Sequence, residues 1–274
     1  MQMPLKGRDH VKNGLLDLAL NIREYCGIDF TTNLPNLELK LSRRLKELET
    51  PFEEYHVFLQ ENAKEWDKLV EQITINETYF FREFSQLEEF QRLLKSKSGK
   101  VINVWCIPCS TGEEAYSLAI LAKEMELLTG NRVRIMASDL NKKVLEQAKK
   151  GFYSKKSLSF RRLPENKEYI KKYFIETEMG FEVKNEIKQM VTFEPFNLTD
   201  YRSYAKFNQM DVIFCRNVLF YFNDEITKNI IQSFYSILKG DGYLFLGHAE
   251  SISNIKTGFV PVHTKDTYYY KKND

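Results

Sequence analysis

Along the first 75 residues, apolar side chains recur at three- and four-residue intervals. Leu15, Leu16, Leu18, Ala19 and Ile22 form one series, and Leu41, Leu45 and Leu48 a second. Phe52, Tyr55, Phe58 and Leu59 form a third, and Trp66, Leu69, Val70 and Ile73 a fourth. That spacing puts each series on one face of an amphipathic helix. Pro35 and the Glu49-Thr-Pro51 step are the expected breaks. Residues 1–75 therefore read as a small all-α domain.

From about residue 100 the rhythm changes to short apolar runs separated by helical patterns. Val101–Trp105, Val133–Ala137, Val191–Phe193, Asp211–Cys215 and Tyr243–Gly247 read as buried strands. Glu113–Leu128, Asn141–Lys149 and Asp224–Leu238 read as the helices between and after them. Alternation of this kind predicts βαβ units and a parallel sheet. Thr267–Tyr270 is expected to add an edge strand. Residues 151–190 are polar and lysine-rich, and Phe181–Val183 looks like one strand of a hairpin. They read as a small β-subdomain inserted into an α/β domain that spans 76–274.

Composition narrows the class. With 43% hydrophobic and 28% charged residues the chain can bury a core. Forty basic against 38 acidic residues give a net charge of +2, which argues against a general nucleic-acid binder. The first residues hold no apolar core of signal-peptide length. No apolar run is long enough to span a bilayer. Four cysteines without a signal do not suggest a disulfide framework, so a reducing cytoplasm is the expected setting.

One stretch concentrates the candidate chemistry: Cys106-Ile-Pro-Cys-Ser-Thr-Gly-Glu-Glu-Ala-Tyr-Ser117. A zinc site needs a second ligand pair, and neither Cys26, Cys215 nor the four histidines supply one. A redox pair belongs at a helix start, and here the helix begins several residues beyond Cys109. Two small residues in a strand-to-loop turn is the simpler reading. Ser110 or Thr111 could cap the following helix, with Glu113 and Glu114 in its first turn. This is the first βα turn of a doubly wound sheet, where ligands bind beyond the strand ends. It has one glycine, so a pyrophosphate cradle is not expected. Paired carboxylates suit instead a ligand with a ribose, an ammonium or a sulfonium. Asp139, at the end of the second strand, is either a ribose acceptor or the N-cap of the next helix. A ribose without a phosphate cradle points to S-adenosylmethionine.

Four motifs together resemble the chemotaxis receptor glutamate methyltransferases, the CheR family. They are Asn76-Glu-Thr-Tyr-Phe-Phe-Arg82, Cys109-Ser-Thr-Gly-Glu-Glu114, Phe214-Cys-Arg-Asn-Val-Leu-Phe-Tyr-Phe222 and Gly247-His-Ala-Glu250. The resemblance implies a Rossmann-like methyltransferase domain behind a helical N-terminal domain, with an inserted β-subdomain. It implies S-adenosylmethionine as methyl donor, S-adenosylhomocysteine as product and a receptor glutamate as acceptor. Carried over by motif, the cofactor residues are Asn76, Thr78, Arg82, Glu114, Asp139, Asn197, Leu198, Arg216 and Asn217. Arg82 and Tyr221 are placed nearest the transferring methyl. The chain departs from the family's pattern at Ala115, where proline is usual, and at Cys106-Ile-Pro108, where smaller residues are usual.

The implied chemistry suits these residues. Glutamate is already an anion at neutral pH, with an ordinary pKa of about 4.3, so methyl transfer requires in-line positioning rather than a general base or a metal. Arg82 could hold a carboxylate through its planar fork, or be a surface partner of Glu83 or Glu88. Tyr221 could fix an oxygen or be plain core beside Phe220 and Phe222, and Asn197 could merely cap a turn. On the second helix Lys40, Arg43, Arg44 and Lys46 form a basic face suited to acidic chemoreceptor helices, or simply a solvated one. A non-catalytic cofactor-binding signalling module is the alternative function. A nucleic-acid methyltransferase is disfavoured because Asn197-Leu-Thr lacks the Asn-Pro-Pro-aromatic element. The short stretch Tyr173–Val183, with one glycine and with Glu176 and Glu178, predicts docking without a receptor C-terminal peptide tether.

Overall fold

In the computed structural model, residues 5–161 and 168–273 are described. Residues 162–167, within the expected insertion, lie outside them. The chain forms two compact units. One holds the N-terminal helices, joined by the short segments Asn197–Thr199 and Tyr221–Thr227; the other holds the remaining residues from Asn76 onward.

Four helices build the first unit: α1 (Leu5–Cys26), α2 (Leu34–Leu48), α3 (Phe52–Glu61) and α4 (Ala63–Ile73). The side chain of Asn33 caps α2 by accepting from Asn36 N, and Pro35 sits in its first turn, where a missing N–H costs nothing. Leu15, Leu18, Ala19, Ile22, Leu37, Leu41, Leu45, Tyr55, Leu59, Leu69, Val70 and Ile73 are buried. Leu16 faces outward, and Leu48 and Phe58 are only half-buried, so the apolar stripes are narrower than the spacing alone suggests. A buried charge ties three of these helices together. Arg44 of α2 makes a two-pronged pair with Glu65 of α4, at 2.9 and 2.7 Å, and the Tyr55 hydroxyl of α3 donates to Glu65 at 2.9 Å.

The second unit begins with α5 (Phe84–Ser96), which the sequence reading did not anticipate. Then come β1 (Val101–Cys106), α6 (Glu113–Thr129), β2 (Arg132–Asp139) and α7 (Lys142–Lys150). The insertion follows, with β3 (Phe152–Ser154), α8 (Glu168–Tyr173), β4 (Phe174–Glu176), β5 (Gly180–Val183) and α9 (Asn185–Lys188). The chain returns through β6 (Val191–Pro195), β7 (Met210–Cys215), α10 (Asp224–Ile237), β8 (Leu238–Leu246), β9 (Phe259–His263) and β10 (Tyr268–Lys272).

The large sheet has the order β6-β2-β1-β7-β8-β10-β9, and β3-β5-β4 form a separate antiparallel sheet. Strands β6, β2, β1, β7 and β8 run parallel, β10 runs antiparallel to β8, and β9 runs antiparallel to β10. This is a Rossmann-like α/β fold. The expected C-terminal strand exists, but it is not an edge. It pairs with β8 on one side and with the unanticipated β9 on the other. Proline at 261 and polar neighbours hid β9 from a reading based on alternation. Trp105 is fully buried at the sheet centre, stacked on Phe207 at 3.9 Å, and its indole N–H donates to Ser138 Oγ at 3.0 Å.

Candidate functional site

The order of the parallel strands reverses between β1 and β7, and in such sheets the crevice at the carboxyl ends of those strands is where ligands bind. The register sets Cys106 of β1 opposite Ala137 of β2 and Phe214 of β7. The loops after these strands therefore start at one level.

Gly112, with φ +96°, is the backbone N-cap of α6, and neither Ser110 nor Thr111 caps it by a side chain. A Cβ at 112 would also lie 2.9 Å from Ala148 Cβ. The hydroxyls go elsewhere: Ser110 Oγ donates to Asn76 O at 2.9 Å, and Thr111 Oγ1 to Glu113 Oε2 at 2.6 Å. Glu113 also accepts from Ser159 Oγ at 2.8 Å, so this buried carboxylate links α6 to the insertion. Burial pushes it above the ordinary carboxylate range.

Asp139 is not the N-cap of α7. Asn141 caps that helix, accepting from Lys143 N and Val144 N. Asp139 Oδ2 instead accepts from Ser110 N at 2.8 Å and Oδ1 from Asn141 N at 2.9 Å. Burial pushes its carboxyl up to about 6, with the N–H groups of Asn141 and Ser110 pulling the other way. Each oxygen has a second lone pair for a further donor.

The third component is a charge network. Arg216, its side chain 1% exposed, donates from Nη2 to Arg82 O at 2.7 Å. The same guanidinium lies 3.1 Å from Glu83 Oε2 and 3.3 Å from Glu114 Oε2. Burial pushes Glu114 up, and Arg216 opposes that shift. The Arg216 guanidinium is thus a buried strut under the segment that carries Arg82. That segment is strained: Phe81 and Glu83 have φ of 58° and 53°, in the left-handed region that costs a side chain about 1 kcal/mol or more. It is held by burial of Phe80 against Tyr153, Phe160 and Phe174, and by bonds from Phe80 N to Ser159 O and Phe81 N to Ser117 Oγ. Arg82 itself spends one N–H on Glu77 O, at 3.1 Å, and its Nε lies 4.0 Å from Glu83 rather than against Glu88.

Asn76, Thr78, Arg82, Glu114, Asp139, Arg216 and Asn217 all belong to this unit. Asn197, Leu198 and Tyr221 belong to the segments of the helical unit. There Asn197 Nδ2 donates to Tyr25 O at 2.6 Å, and its Oδ1 accepts from Thr199 N at 3.0 Å, a side-chain-capped turn. Tyr221 O accepts from Asp29 N at 3.1 Å. Glu83 and Glu250 were missing from the sequence-derived set, although both sit in or beside its motifs. Cys106 and Cys109 are free and buried, and burial pushes both thiols up, with Glu114 and Asp139 adding to the effect. Among the described residues no His/Cys/Asp/Glu group could hold a metal, and no helix is long and apolar enough to cross a membrane.

A sheet of this order, with a single-glycine first turn and carboxylates at its strand ends, defines a nucleoside-binding α/β domain without a pyrophosphate cradle. The donor set fits S-adenosylmethionine: Asp139 offers acceptors for ribose hydroxyls, and Glu114 and Glu83 offer negative charge to a cationic group. Residues 76–268 match the family model described as CheR methyltransferase, SAM binding domain. Chemotaxis protein methyltransferase 2 of Vibrio cholerae is 37% identical over 230 residues, covering 80% of this chain and 78% of that one. The chemotaxis protein methyltransferase of Campylobacter jejuni is 33% identical over 254 residues, covering 92% and 93%. That of Escherichia coli is 33% identical over 224 residues, covering 81% and 78%. The chain belongs to the CheR methyltransferases. Its relatives are methyltransferases by name, which supports the enzyme over the non-catalytic module.

Proposed function

We propose that this chain transfers a methyl group from S-adenosylmethionine to glutamate side chains on the cytoplasmic helices of chemoreceptors. The observation that carries the reading is the network around Arg216, which holds Arg82 on a pinned, strained segment at the switch point. Bound there, S-adenosylmethionine would supply an electrophilic methyl on a sulfonium. Asn76, Thr78, Arg82, Glu114, Asp139, Asn197, Leu198, Arg216 and Asn217 would hold it; of the Arg216 guanidinium, Nη2 already donates to Arg82 O. Arg82 would orient the acceptor carboxylate with its planar fork, and the Tyr221 hydroxyl would fix one oxygen. The acceptor is ionised at neutral pH, so the residues have only to align it. The test is transfer of a labelled methyl group to a receptor cytoplasmic fragment as a base-labile ester. Absence of any such ester, with cofactor bound, would refute the assignment.

Cofactor affinity should follow the ionisation of Asp139. Its folded pKa, about 6, is raised above the ordinary 3.8, so the fold holds that proton more tightly than the unfolded chain does. The associated stability is complete below about pH 4 and is lost as the pH rises through about 6. Ribose donors require the charged form and offset that loss. Affinity for S-adenosylhomocysteine should therefore be flat above about pH 6 and fall by up to tenfold per unit below it. A calorimetric profile that stays flat to pH 5, or that Asp139→Asn leaves unchanged, would remove Asp139 from the site.

Docking on the receptor is assigned to α2. Arg43 is fully offered to solvent apart from Glu47, Lys46 is exposed, and Lys40 is half-buried, its ammonium pKa lowered by that burial. Arg44 differs from the expectation, because Glu65 occupies its guanidinium. The reading without a peptide tether rests on the short 177–179 connection and on Glu178, since Lys155 pairs with Glu176 at 2.7 Å. Reversing Lys40 and Arg43 to Glu should raise the receptor KM and flatten its salt dependence, because exposed charges are screened. The affinity for S-adenosylhomocysteine should not move, and a receptor lacking its C-terminal tail should be methylated equally well. Equal loss of receptor and cofactor affinity would make the helix structural, and a tail-dependent KM would restore the tether.

A further inference from the structure

The Glu250 carboxylate accepts four backbone hydrogen bonds. Oε2 takes Asn217 N and Gly247 N, and Oε1 takes Val218 N and Leu219 N, each at 2.7 Å. Glu250 is 4% exposed, and its own carbonyl accepts from the Tyr268 hydroxyl. Successive N–H groups converging on one point form a nest that ordinarily receives an anion. Here the chain supplies its own.

What the nest shapes is the loop after β7. It begins with Arg216, whose guanidinium reaches Arg82, Glu83 and Glu114. Asn217 follows with φ 60°, a conformation that costs a non-glycine residue free energy, and its side chain approaches Glu83 Oε1 at 3.4 Å. A left-handed residue persists only where its surroundings over-determine it. Four charge-assisted bonds, three of them to residues 217–219, meet that condition. Gly247 serves the same carboxylate. Its φ is not left-handed, so backbone conformation does not demand glycine, but a Cβ there would lie 2.6 Å from Asn217 Nδ2 and 2.8 Å from Glu250 Oε2.

We propose that Glu250 is a positioning residue: its carboxylate, seated against Gly247, sets the conformation in which Arg216 and Asn217 are presented to the cofactor. The inference rests on the cofactor reading of those two residues. It is tested in the full-length chain by Glu250→Gln, which replaces one acceptor oxygen by an amide that faces donors. At a temperature where the variant is folded, its affinity for S-adenosylhomocysteine should fall by about 10- to 100-fold, the scale of one or two lost charge-assisted bonds. In an Asn217→Ala background the further loss should shrink to about threefold or less, because the variant acts through the loop that carries that side chain. A lower melting temperature with affinity unchanged would overturn the proposal, as would losses that multiply in full. Should Glu250→Gln fail to fold, Gly247→Ala keeps the carboxylate but displaces it. The same loss of affinity is expected there, and wild-type affinity would overturn the proposal. If receptor fragments gain no methyl ester from the wild-type chain while Glu250→Gln still weakens cofactor binding, the assigned substrate fails and the inference stands. If methylation is intact and Glu250→Gln binds normally, the inference alone fails.

Discussion

Replacing Arg82 by alanine is expected to lower kcat for methyl transfer about 100-fold, the scale of a reactant displaced by about an ångström. Arg82 donates to Glu77 O and has Glu83 near its Nε, and its backbone carbonyl is held from below by Arg216. The side chain is thus restrained at its root while its fork can grip a carboxylate. Lysine should recover little, because it offers a point charge without the two parallel donors. The affinity for S-adenosylhomocysteine should change less than kcat does, and Tyr221→Phe should reduce kcat by a smaller factor. Single-turnover kinetics with a receptor fragment separate these terms. Wild-type turnover by Arg82→Ala would reduce the residue to a surface partner of Glu77 and Glu83.

Arg44→Met should destabilise the helical unit by about 3 kcal/mol, the low end of the range for stripping one partner from a buried ion pair. The low end applies because Arg44 keeps some solvent contact, whereas Glu65 keeps little. Burial would raise the Glu65 pKa, but the bonds from Arg44 and Tyr55 outweigh it and hold the carboxyl below its ordinary 4.5. A depressed carboxylate pKa contributes stability that is present above about pH 4.5 and lost as the pH falls through the folded value. That acid limb should disappear in Arg44→Met. Adding Glu65→Gln to it should restore part of the loss, since no unpaired buried charge remains. Urea titrations at pH 7 and pH 4 test both claims. A change under about 1 kcal/mol would class the pair with ordinary surface bridges.

The two results bear on different halves of the protein's work. Arg82 is proposed to align the reactants. Arg44 was expected to meet the receptor, and the structure gives it a partner inside its own unit. Loss of receptor binding in an Arg44 variant would therefore be read first as loss of the fold that displays Lys40, Arg43 and Lys46.

Periodicity alone settled much of this protein. Series such as Leu41 and Leu45 marked helices because one face had to be buried, and runs such as Val101–Trp105 marked strands buried on both faces. The single glycine at 112 excluded a pyrophosphate cradle, and the four motifs pointed to the cofactor and the reaction. Local pattern was silent or misleading where the deciding partner is remote. Arg44 finds Glu65 21 residues away, and Glu250 finds Val218 at a separation of 32. Asp139 stood open between a ribose acceptor and a helix cap until Asn141 was seen to cap α7, and the strand at Tyr268 looked like an edge until β9 was seen beside it. A buried charge must find donors wherever the fold brings them, and which donors arrive is set by chain crossing and strand order. The nearest residues in sequence supply only some of them, as Asn141 does for Asp139 and Gly247 for Glu250, and the tertiary structure decides the rest.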